Sequence, residues 1–214
     1  MALNHLQHHL ERIYEVELAH RVEDFLTSDP RLLAAMQPGE REARERLLVC
    51  EDEQGLSMSL YLDQAVLAAL DPHDPLAPAH AAAVDAWCLA LEGVSHFLYL
   101  GWRAVHDRSV SLLELELQAE VDKYAALLCV LTARGNGQAP GALHAVLFEA
   151  VRFDPALSAV EQRRYRDANQ YAAQYCARLD ADYVRCRDYA GLMRALRRFY
   201  RLDQVGKLRH IERL

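Results

Sequence analysis

The stretch 79–106 is almost wholly apolar, and within it Asp85, Glu92, His96 and Arg103 stand at offsets of 7, 11 and 18 from the first. At about 100° per residue these positions fall within roughly 40° of one line along a helix. The rest of the circumference is Ala, Val, Trp, Cys, Leu, Phe and Tyr. A surface helix carries its charges on a broad wet face, so this pattern predicts a helix buried on several sides with one polar stripe. Buried ionisable groups are costly unless paired, and the stripe therefore needs partners from elsewhere in the chain. The same four residues argue against a membrane span and for a core helix.

Elsewhere helical periodicity dominates. Residues 2–27 read as a helix, with Leu6, Leu10, Ile13, Tyr14 and Phe25 on one side and Thr27-Ser28-Asp29-Pro30 closing it. A short helix follows at 31–36, then a turn at Pro38-Gly39. Residues 40–63 carry the β signal. RLLVCE at 46–51 and a turn at Asp52-Glu53-Gln54-Gly55 precede LSMSLYL, where Leu56, Met58, Leu60 and Leu62 alternate with Ser57, Ser59 and Tyr61. This predicts a β-hairpin with one buried face. A hairpin alone is marginal, so it has to pack on helices or pair with another hairpin in a dimer.

Residues 64–70 suit a short helix and 71–78 a rigid, proline-rich loop. Long helices at 79–106 and 109–133 are joined at His106-Asp107-Arg108-Ser109, a connection short enough to make them antiparallel neighbours. After a break at 134–140, helices at 141–152, 157–187 and 189–201 and a short one from Gln204 complete the chain. The expected fold is one mainly α-helical domain over residues 1–214: a helical bundle with an antiparallel pair of long helices and one small β-hairpin. A length of 214 residues with 52% hydrophobic content suits a single core.

Folding the two long helices about residue 107 puts Glu92 near the level of 122 and His96 near 118. Glu116, Glu120 and Lys123 bracket those levels on one line of the second helix, while Glu114, Gln118 and Asp122 fall on the opposite side, expected to be wet. Asp85, Glu92, His96, Arg103, Glu116, Glu120 and Lys123 thus form one candidate polar cluster between two helices. In the first helix, Glu17-Leu-Ala-His20 brings a carboxylate and an imidazole to adjacent turns. An ExxH pair with carboxylates from neighbouring helices is how helical bundles hold two iron or manganese ions. Here the second pair, Glu92 and His96, is spaced one residue wider, a spacing that still lets both side chains share a single ion.

Two readings of the cluster stand open. In one it is a satisfied ion-pair network that sets helix register: Arg103 with Glu116, Lys123 with Glu92 or Asp85, His96 with Glu120. The protein is then a binding or regulatory protein acting through a homo-oligomer or a protein partner. In the other, Glu92, His96, Glu116 and Glu120 hold iron, manganese or zinc, with Glu17 and His20 in reserve and Arg103 or Lys123 orienting an anionic substrate of a metal-dependent enzyme. Four carboxylates against Arg103 and Lys123 leave a surplus of two negative charges, which favours a cation or a raised carboxyl pKa.

Charge and cysteines bound the surroundings. Nine Arg or Lys against three acids make 185–214 net +6, so with a whole-chain charge of −7 the remaining residues carry −13. That predicts a basic helix docked on an acidic body, and an acidic body repels nucleic acid. Cys50, Cys88, Cys129, Cys176 and Cys186 form no CxxC pair, as expected in a reducing, cytoplasmic setting without a membrane. His5, His8 and His9 are expected to face solvent, His73 and Asp74 to sit in a loop, and Tyr165, Tyr171 and Tyr175 to form a packing stripe that Asn169 accompanies. The chain has no G-x-S-x-G, Walker loop, Rossmann glycine fingerprint or paired CxxC, which argues against hydrolase, nucleotide-binding and zinc-ribbon classes.

Overall fold

A computed structural model describes every residue except 1, 37–42, 54, 72, 75, 79, 81, 82, 136–140, 150, 152–154, 156 and 214. The expected turn at Pro38-Gly39, most of the break at 134–140 and parts of the 71–78 loop lie outside the described residues. The chain is mainly helical with one small sheet, as its periodicity predicts. It divides into two compact units, Met1–Glu11 with Val16–Arg108, and Arg12–Glu15 with Ser109–Leu214. Both flanks of the proline-rich loop belong to the first unit. Among the described residues no helix is long and apolar enough to cross a membrane.

The first helix, α1 (Ala2–Tyr14), buries Leu3, Leu6, Leu10, Ile13 and Tyr14 at helical spacing. The helix expected over 2–27 stops halfway, at Tyr14, and Glu15 turns left-handed at φ 50°. No glycine or proline marks this stop. Buried Gln7 and Glu11 make it instead, by taking over the backbone groups that further helix would have satisfied. Gln7 Nε2 donates to the His20 carbonyl at 2.9 Å, and Gln7 Oε1 accepts from Val22 N at 2.8 Å. Glu11 accepts from Arg21 Nη1 at 3.2 Å through both oxygens and from Leu18 N at 3.4 Å. A 3₁₀ turn at Val22–Phe25, a two-residue strand β1 (Leu26–Thr27) and the helix α2 (Pro30–Met36) follow.

The hairpin forms as β2 (Glu45–Asp52) and β3 (Gly55–Leu62), paired antiparallel, and β1 joins β3 in parallel to give the order β1-β3-β2. Two-residue alternation sorts its side chains. Leu56, Met58, Leu60 and Leu62 share a face with Glu45, Leu47, Val49 and Glu51, and this face lies on α4 (Val84–Val105). The opposite face is covered too: Leu48 and Tyr61 pack with Leu33 of α2 and with Ala43. The hairpin was expected to bury one face, but Leu60, Tyr61 and Leu62 are all buried because α2 supplies a second cover. Between β3 and α4 a short helix α3 (Gln64–Ala68) is capped by Asp63, whose side chain accepts from Ala65 N at 2.7 Å.

In the second unit α5 (Leu112–Arg134) and α7 (Ala159–Leu179) pack along each other, with α6 (Leu143–Phe148) against both. The α7 helix starts on a capping box of Ser158 and Glu161 and runs into a π-helical turn, Asp180–Val184, whose Asp180 accepts from the Tyr124 hydroxyl. Helices α8 (Tyr189–Tyr200) and α9 (Gln204–Glu212) close the unit. Rings stack at its core, Tyr14 on Tyr200 at 4.1 Å and Tyr175 on Phe199 at 4.0 Å.

The basic C-terminal segment acts here as a docking element. Arg197 donates to the Ile13 carbonyl at 2.9 Å, and Arg201 to the carbonyls of Tyr14 at 3.1 Å and Glu15 at 3.2 Å. Arg197 also pairs with the Glu15 carboxylate at 2.7 Å. Two guanidinium groups thus satisfy the bare carbonyls at the negative end of α1.

Candidate metal centre

Strand alternation and helix spacing converge at one place in the first unit. Glu45 opens β2 on the face turned to α4, and Glu92 and His96 stand four residues apart on α4, one turn above the other. Each offers a ligand atom, and the three atoms lie within 4.8 Å of one another. His96 Nδ1 is 3.5 Å from Glu45 Oε1, with the side chains 6% and 9% exposed; Glu92 is half-buried. Among the described residues this is the one group of three metal-ligating side chains that close together.

Gly93 makes the approach possible. A Cβ at that position would lie 2.7 Å from Leu60 Cδ1 and 3.2 Å from Glu45 Cγ and Oε1. Gly101, two turns on, plays the same part, because a Cβ there would lie 2.9 Å from Leu18 Cδ2 and 3.4 Å from Met58 Cε. The two glycines let β3 lie close on α4, and the strand beside it carries Glu45 into reach of Glu92 and His96. Gly93→Ala is expected to cost about 1–3 kcal/mol of overpacking, offset by about 1 kcal/mol of helix propensity. The net loss, near 1 kcal/mol, is read from the urea midpoint at unchanged slope.

As ligands the group would supply an imidazole and two carboxylates, a donor set that balances one divalent ion and suits zinc, iron or manganese. Ligands around a tetrahedral zinc stand roughly 3.4 Å apart at its usual bond lengths, so modest side-chain rotation draws the three donors onto one ion. Three protein ligands leave a position for water or a substrate oxygen.

The other expected site residues divide between the two units. Asp85, in the first turn of α4, has a side chain 74% exposed and pairs with Arg44 at 2.6 Å. Arg103 is 2% exposed, with its guanidinium carbon 5.8 Å from the Tyr99 ring centroid. Glu17 and His20 are exposed and lie beyond the end of α1, so their ExxH spacing does not set them on adjacent helical turns. His20 stands edge-on to Phe25 at 5.5 Å.

In the second unit Glu116 is 3.6 Å from Arg164 Nε, and Lys123 pairs with Glu120 at 2.9 Å. The side of α5 expected to be wet is buried: Glu114, Gln118 and Asp122 are 2%, 0% and 1% exposed. Lys207 Nζ, itself fully buried, donates to Gln118 Oε1 at 2.5 Å, and Gln118 Nε2 donates to Asp122 Oδ1 at 2.6 Å. The Tyr14 hydroxyl donates to the same Asp122 oxygen at 2.5 Å. Burial, with the Asp122 charge second, holds the Tyr14 hydroxyl protonated far into alkali, so it remains a donor. Glu114 Oε2 accepts from Gln204 N at 3.1 Å, at the start of α9.

Of the remaining candidates, His5, His8 and His73 are exposed, and Tyr175 is buried in its ring stack. Cys50 and Cys186 are exposed thiols; Cys176 is buried, and burial raises its pKa and pushes that of Cys129 up to about 11. Glu45 is the site residue that the sequence reading missed. Its signal was the two-residue alternation of Leu47 and Val49 extended one step back. No family model, curated protein or solved structure matches this chain.

Proposed function

We propose that this protein binds one divalent transition-metal ion, of the zinc, iron or manganese class, through Glu45, Glu92 and His96. The convergence of three ligand atoms from a strand and a helix within 4.8 Å, around a buried imidazole, carries the reading. The donor set supports it, since two carboxylates and an imidazole together balance the charge of a dication. An open coordination position suits a hydrolytic or redox enzyme, in which the ion polarises a substrate oxygen or activates water. Five free cysteines, two of them exposed, fit a reducing, cytoplasmic location.

The test is elemental analysis of untagged protein purified without chelator, beside a Glu45→Gln/His96→Ala variant. About one zinc, iron or manganese per chain, lost in the variant, is the expected result. A wild-type protein that stays metal-free after incubation with each of the three ions overturns the reading.

A second reading draws on the 3.5 Å contact of His96 with Glu45, which by itself ties β2 to α4. On that reading the protein is a binding or regulatory protein and the contact is structural. It predicts no metal, and a lower melting temperature when either residue is replaced.

A further inference from the structure

The outer edge of β2 is the longest regular strand edge left open among the described residues. In the order β1-β3-β2 the strand β2 ends the sheet, and among the described residues no strand lies beyond it. It runs eight residues with no proline or glycine, and Val49 near its middle is 47% exposed. Long regular edges of this kind are templates for a further strand.

Backbone geometry decides which residues present that edge. Asp63 N donates to the Arg44 carbonyl at 2.8 Å, so Arg44 and Asp63 are a hydrogen-bonded pair of the β2–β3 ladder. Alternate pairs repeat the pattern, so Arg46, Leu48, Cys50 and Asp52 turn their backbone groups inward to β3. Glu45, Leu47, Val49 and Glu51 turn theirs outward.

We infer that two chains associate antiparallel along β2 about a two-fold axis at Val49. A two-fold perpendicular to the sheet keeps each face continuous, so residues opposite one another must have the same parity. With the axis at Val49 the outward groups of Val49 bond those of its copy, and Leu47 bonds Glu51. Leu48 then faces Cys50, and Arg46 faces Asp52, twice by symmetry. Moving the register two residues one way sets Glu45 against Glu51, and the other way sets Leu48 against Asp52. Within Glu45–Asp52, only the Val49 axis sets opposite charges against each other at both ends and no like charges together. The inference is independent of metal binding, which uses side chains on the α4 face.

Light scattering and sedimentation of the full chain over about 1–100 µM test it. A dimer is expected, with Arg46→Asp and Asp52→Arg each weakening it at least about tenfold and the double variant R46D/D52R restoring it. Restoration separates loss of pairing from loss of folding, since a misfolded chain is not rescued by a second reversal. Val49→Pro, which removes an outward N–H and no hydrogen bond of the β2–β3 ladder, is expected to give a folded monomer that keeps its helical circular-dichroism spectrum. A wild-type monomer throughout the range overturns the inference and leaves the edge to an extended segment of another protein. A dimer that survives both single reversals overturns it as well.

Discussion

Lys207→Ala is expected to lower stability by about 3–5 kcal/mol, the range for breaking a buried charged pair from one side. The lysine is fully buried and reaches Asp122 through Gln118, while Tyr14 bonds the same carboxylate. Truncation leaves the Gln118 oxygen without that donor and removes a buried positive charge from the network around Asp122. Its ammonium also stands 5.2 Å from the Phe199 ring centroid, a cation–π contact that alanine forfeits. The double variant Lys207→Met/Asp122→Asn, which removes both charges at similar volume, is expected to recover most of the loss. Urea denaturation of the three proteins checks this. A single variant within about 0.5 kcal/mol of wild type would show that the network contributes little.

Saturating metal is expected to raise the stability of the wild-type protein by about 2.7 kcal/mol at a hundred times the dissociation constant, and to leave His96→Ala unmoved. For a chain of this size that is a rise of about 5–10 °C in melting temperature. Glu92→Gln is expected to lose the metal-induced rise while keeping the His96–Glu45 contact. A structural role for that contact alone predicts no metal effect in either protein.

Helix spacing alone made two of the three residues of this candidate site legible. Glu92 and His96 share a face because an offset of four brings them together on any α-helix, and the apolar circumference around them announced a buried helix. Asp85 obeys the same arithmetic but stands one residue inside the start of α4, where its side chain is exposed and meets Arg44. Periodicity gives direction around a helix, not depth along it. Glu45 was hidden by a single residue: the strand was expected to begin at Arg46, and its first residue carries the third proposed ligand.

Long-range partners erased other signals. Nothing local ends α1 at Tyr14; Gln7 and Glu11 redirect the following backbone, and Arg197 and Arg201 take up the last carbonyls from more than 180 residues away. The polar side of α5 reads as wet for the same reason. Gln118 and Asp122 are buried because Lys207 arrives from α9 to meet them, and no pattern within α5 records that. The hairpin, by contrast, was written in a strict alternation that α4 and α2 then covered from both sides.

The most direct measurement is a calorimetric titration of chelator-treated protein with zinc, beside Glu45→Gln and His96→Ala. With the titration repeated for ferrous iron and manganese, the account predicts one ion per chain in the wild-type protein for at least one of the three metals and a loss of that site in both variants. Binding of equal strength in all three proteins, or none of the three metals in the wild type, would contradict it.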